Sequence, residues 1–96
     1  MITRHIKIIG RVQGIGYRRW AENIATDLKL SGWVRNNSDG SVEIMVKGDL
    51  ETINQFLSKC AKGPAFAYVI GIQPVVIPTT TPIPIEDGVF KIIASA

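Results

Sequence analysis

The chain has 96 residues, 46% hydrophobic and 20% charged, and eleven Lys and Arg against eight Asp and Glu leave a net charge of +3. That balance excludes a disordered chain, the length fits a single domain over residues 1–96, and the lone Cys60 excludes an internal disulfide and points to a reducing, cytoplasmic setting. No stretch has the form of a signal peptide, and no apolar run is long enough to span a membrane.

Thr3 to Ile9 alternates as a half-buried strand does. Gly10 to Arg19, GRVQGIGYRR, follows it directly and crowds three glycines and three arginines into one junction. Trp20, Ile24 and Leu28 then recur every four residues with Ala21 and Ala25 beside them, the apolar face of a helix that Ser31-Gly32 should end. Gly32 to Asn36 reads as a strand entering a turn at Asn37-Ser38-Asp39-Gly40. Ser41 to Lys47 is the next strand, with Val42, Ile44 and Val46 on one face and Glu43, Met45 and Lys47 on the other. Asp49 is placed to cap a second helix whose stripe is Leu50, Ile53, Phe56, Leu57 and Cys60, with Lys59 and Lys62 at its end and Gly63-Pro64 as its stop. Tyr68 to Ile77 is β-branched and supplies a fourth strand. Pro78 to Pro84 is a proline-rich loop suited to a sheet edge, and Val89 to Ile93 is a last strand.

The order β-α-β-β-α-β with an extra C-terminal strand predicts an α+β ferredoxin-like sandwich, a mostly antiparallel sheet with both helices on one face. Fold alone does not decide function.

Chemistry concentrates at the glycine loop. Through Arg35 the chain carries seven Lys and Arg against Glu22 and Asp27, and beyond it four against six acidic residues. Glycines open φ values closed to other residues, so successive N–H groups can turn inward as an anion nest, and the following helix N-terminus adds its own free N–H groups. Arg18 in the first helical turn opposes the helix dipole, which an anion would offset, and its planar fork suits phosphate. A glycine-rich turn with surface arginines is the competing reading. The spacing is neither Gly-x-Gly-x-x-Gly nor a nucleotide P-loop, the loop offers no Cys, Ser or Thr nucleophile, and no acidic or His cluster marks a metal site. Lone His5 reads as structural, Arg19 as a surface residue or an aid in attracting the anion, and Arg35 as exposed. Asn36 ends its strand at the same end of the sheet as the loop, where its amide can hold a water, although Asn36 and Asn37 can equally well simply open the hairpin.

GRVQGIGYRR and GWVRNNSDGSVE together resemble the two signature stretches of the acylphosphatase family, and the resemblance runs on to Lys62-Gly63-Pro64. It implies hydrolysis of the carboxyl-phosphate bond of small acyl phosphates by direct attack of a positioned water, with no metal or cofactor. It implies Arg18 as the phosphate-binding arginine, Asn36 as the residue that positions the water, and a cradle of backbone N–H groups from Val12, Gln13, Gly14, Ile15, Gly16 and Tyr17. It also implies a monomer. The chain departs from the family pattern at Ala67-Tyr68 and in the Thr/Pro-rich run before the last strand.

The alternative is a non-catalytic phosphate- or carbamoyl-phosphate-binding module, such as the N-terminal part of hydrogenase maturation factors, whose loop commonly continues Arg-Pro where this chain has Arg18-Arg19-Trp20. An RNA-binding module would need stacking aromatics on the central strands, which instead offer Ile6, Ile8, Val42, Ile44 and Val46, so no nucleic-acid partner is expected. No membrane partner is expected either.

Overall fold

Alternating apolar residues build β1 (Ile2–Arg11) and β3 (Val42–Gly48), which pair antiparallel from Ile2 opposite Gly48 to Ile8 opposite Val42. The computed structural model describes residues 1–75 and 83–96. β2 (Ser31–Asn36) lies antiparallel on the far side of β3, and β4 (Tyr68–Pro74) lies antiparallel on the free side of β1. β5 (Phe90–Ile92) pairs parallel with β2, giving the order β4-β1-β3-β2-β5. This is the ferredoxin-like α+β arrangement with a fifth strand at the edge.

α1 (Tyr17–Asp27) and α2 (Leu50–Lys62) cover one face of the sheet. α1 buries Tyr17, Ala21 and Ala25 along its centre, flanked by half-buried Trp20, Ile24 and Leu28. The alanines let the helix lie close against β2 and β5. Ile53, Phe56 and Cys60 of α2 complete this core, while Leu50 stays half exposed.

α1 stops before the expected Ser31-Gly32. Lys29 takes a left-handed φ of 59°, its N–H donates to Thr26 O at 3.0 Å, and Leu30 N–H donates to Ala25 O at 2.9 Å. That is a Schellman closure, with buried Leu30 over buried Ala25 as its apolar contact. A lysine in the position usually held by glycine hid the stop. Asp49 has the extended conformation of an N-cap, but its side chain makes no capping hydrogen bond. β4 is described as far as Pro74, and Val76 and Ile77 of the expected strand lie outside the described residues. Residues 76–82, which include most of the expected proline-rich loop, lie outside the described residues.

β4 and β5 are opposite edges of the sheet, and the segment described ahead of β5 lies on the face away from the helices, where Ile83 O accepts from Trp33 Nε1 at 3.1 Å and Asp87 pairs with Lys47 at 3.0 Å. Ser31 Oγ accepts from Gly88 N–H at 2.8 Å at the start of β2. Glu43, Met45 and Trp33 are buried on that face, although the alternation of β3 sets Glu43 and Met45 opposite its apolar stripe.

Candidate active site

β1 and β2 run in the same direction with β3 between them, and Val42 pairs with both Ile8 and Asn36. Asn36 thus sits level with Ile8, two strand spacings or roughly 10 Å across the sheet, at the end from which the glycine loop leaves β1.

The loop alternates hand. Gly14 and Gly16 have φ of 76° and 81°, while Ile15 between them is not among the positive-φ residues. Such alternation turns successive N–H groups to one side. Neither position crowds a neighbouring atom, so their glycines serve conformation alone. Gly10 acts differently: it sits inside β1 at the register shift against β4, where a Cβ would stand 2.0 Å from Tyr68 O.

Gly16 caps α1 without a side-chain hydrogen bond, and the first intrahelical bond runs from Trp20 N–H to Gly16 O. Among the described residues, no N–H group from Gln13 through Arg19 donates to a protein acceptor. Of these residues Gly14, Gly16, Tyr17, Arg18 and Arg19 line a cavity of about 270 Å³, with Val12, Asn36 and Ile92. Asn36 Oδ1 is buried with no hydrogen-bond partner among the described residues. A buried amide oxygen is costly unless a water or ligand meets it; His5 Nδ1, on the opposite face of the sheet, is likewise without a protein partner among the described residues.

The cavity therefore brings together Val12, Gly14, Gly16, Tyr17, Arg18 and Asn36 from the residues singled out in the sequence. Gln13 and Ile15 are not on its wall. Ile15 packs against the core, and Gln13 Nε2 donates to Asn37 O at 2.8 Å and to Ser41 O at 2.9 Å. The Gln13 side chain thereby ties the loop to the hairpin that follows Asn36. That hairpin is rigid: Asn37 N–H donates to Ser41 O at 2.9 Å, and Ser41 Oγ and N–H both donate to Asp39 Oδ1, at 2.6 and 2.9 Å. The Ser41 donors, with Lys7 at 3.1 Å, hold the Asp39 carboxyl down to about 2.

The Tyr17 side chain is structural. It is buried, and its hydroxyl donates to Cys60 O at 2.7 Å, locking α1 to α2; burial pushes the phenol well above its ordinary range. Burial likewise pushes the Cys60 thiol up to about 12. Arg19, read as a surface residue or an aid in attracting the anion, lines the cavity, and Ile92, which the sequence did not single out, enters from β5, whose parallel pairing with β2 is a long-range contact without a local signal.

Arg35 is not the exposed residue expected. Its Nε and Nη2 donate to Glu43 Oε1 at 3.2 and 3.1 Å, and its guanidinium lies 5.2 Å from the Trp33 ring centroid. His5 Nε2 bonds the other Glu43 oxygen. Burial pushes the Glu43 carboxyl up, but the His5 and Arg35 hydrogen bonds and the Arg35 charge outweigh it and leave it below its ordinary value.

The acylphosphatase family model matches residues 4–91. An acylphosphatase of Acidiphilium cryptum is 41% identical over 91 residues, covering 95% of this chain and 96% of that one. The crystal structure of acylphosphatase from Bacillus subtilis superposes with a TM-score of 0.83 at 31% identity, covering 97% of this chain and 99% of that one. A full-length HypF in its phosphate- and nucleotide-bound form aligns with 97% of this chain at 34% identity and a TM-score of 0.78, over 12% of its own length.

Proposed function

This chain belongs to the acylphosphatase family and hydrolyses the carboxyl-phosphate bond of acyl phosphates, and we propose that Arg18 and the loop from Val12 to Tyr17 hold the phosphoryl group while Asn36 positions the attacking water. The observation that carries this reading is the buried, unpartnered Asn36 Oδ1 on the same cavity as Arg18 and the loop with its free N–H groups.

In the proposed step the water oxygen attacks phosphorus as the bond from phosphorus to the acyl oxygen breaks. The bonding pair leaves with the carboxylate, and the water protons stay with inorganic phosphate. The amide of Asn36 is neutral and takes no proton; its Oδ1 accepts a hydrogen bond from the water and aims a lone pair at phosphorus. The carboxylate is a good leaving group, so little acid catalysis is needed. The loose transition state spreads charge over the equatorial phosphoryl oxygens, where fixed N–H donors and the Arg18 fork act without reorganising. None of these roles calls for a metal or cofactor.

We take the monomer as the working form, as the family resemblance implies. The single buried thiol of Cys60 is compatible with the reducing cytoplasm, where we place the enzyme.

Hydrolysis in ¹⁸O-labelled water tests the step. The label should appear in inorganic phosphate and not in the carboxylate. Label in the carboxylate would mean attack at the carbonyl carbon, and the roles given to Arg18 and Asn36 would fall.

A further inference from the structure

We propose that this site favours acyl phosphates whose acyl part carries a second anionic group, a carboxylate or phosphate, and that Arg19 reads that group. The proposal rests on the reading of Arg18 and the loop as the phosphoryl site.

The charge of the cavity motivates it. Among the described residues, Arg18 and Arg19 are its charged wall residues, and no carboxylate side chain lines it. Neither arginine enters an ion pair among the described residues, and α1 has no acidic residue in its first turn. Both cations oppose the helix dipole there. One phosphoryl group accounts for Arg18 but leaves Arg19 without a partner of its own.

Position assigns the two different tasks. Successive helical residues diverge by about 100°. Arg18 is half-buried and Arg19 exposed, so Arg18 is the inner group and Arg19 stands at the mouth. A substrate whose phosphoryl end is wrapped by the loop would direct its acyl end outward, toward the exposed Arg19. The cavity has room for both ends, since 270 Å³ is about nine times the roughly 30 Å³ that a water occupies in the liquid. A guanidinium fork at that mouth matches a carboxylate or phosphate, and it offers nothing comparable to a neutral acyl group.

The test compares 4-carboxybenzoyl phosphate with its neutral isostere 4-carbamoylbenzoyl phosphate, at one ionic strength, in the wild type, Arg19→Ala, Arg19→Lys and Arg18→Ala. The readout is the ratio of the two kcat/KM values, which cancels effects on the shared phosphoryl end. The wild type should prefer the carboxylate by roughly three- to tenfold, the scale of an exposed charge-assisted pair. Arg19→Ala should bring the ratio close to one, and Arg19→Lys should keep part of the preference. A wild-type ratio near one, or a ratio unchanged in Arg19→Ala, would overturn the proposal. Arg18→Ala should depress both substrates with the ratio retained. Wild-type rates in Arg18→Ala would instead remove the underlying phosphoryl-site reading, while the Arg19→Ala ratio would still decide the role of Arg19.

Discussion

Asn36 is held by its backbone rather than by its side chain. Its carbonyl accepts from Ala96 N–H at 2.9 Å, it pairs with Val42 across the sheet, and its Oδ1 is left free. The aim of that amide therefore depends on the strand end and the turn beyond it. The Gln13 side chain braces both to the loop through Asn37 O and Ser41 O. Gln13→Met keeps the shape and removes both donors, so the loop and Asn36 should lose their fixed separation. Near-attack geometry is sensitive to displacements of this size, and we expect kcat to fall on the order of tenfold with KM little changed. A purely structural role for Gln13 would lower the melting temperature and leave kcat at its wild-type value in an assay well below that temperature.

At the scale of elements, the sheet has two different faces. The helix side is apolar and reads directly from the alternation of Ile6, Ile8, Val42, Ile44 and Val46. The other side places His5, Met45 and Trp33 in one cross-strand row and Lys7, Glu43 and Arg35 in the next. Glu43 accepts from His5 and Arg35 and is only 6% exposed. A depressed folded-state pKa contributes stability that is fully present above the unfolded-state value of 4.5 and is lost as pH falls through the lower folded-state value. Glu43→Gln removes the charge that both partners face, and it should cost about 1–3 kcal/mol at pH 7. The stability gap between wild type and variant should then narrow below pH 4.5. A gap that stayed constant from pH 7 to pH 3 would mean that the carboxyl titrates alike in folded and unfolded chains.

At the scale of the molecule, what the sequence makes legible is what short-range periodicity encodes. Both helices, the strands around the loop and the α+β layering can be read from spacing alone, because each buries one regular stripe. The glycine loop and Arg18 are legible because positive φ and a cation at a helix N-terminus are locally unfavourable and call for an explanation. Long-range geometry escapes this reading. Trp33 meets Ile83 fifty residues further on, and nothing around Arg35 in sequence shows that Glu43 will neutralise it. Ile92 joins the site only through the parallel β2–β5 pair, and the Lys29 helix stop defeats the expectation of glycine.

The most direct test of the account is hydrolysis of benzoyl phosphate with EDTA present, comparing wild type, Arg18→Ala and Asn36→Ala, with inhibition by inorganic phosphate as the measure of binding. The wild type should turn over without metal, and Arg18→Ala should lose both turnover and phosphate inhibition. Asn36→Ala should lose roughly a hundredfold or more in kcat, the scale of one preorganised catalytic group, while phosphate inhibits it nearly as well as the wild type. Wild-type turnover by Asn36→Ala would contradict the account, because the water would then be positioned by something other than the one buried amide oxygen that the site leaves free.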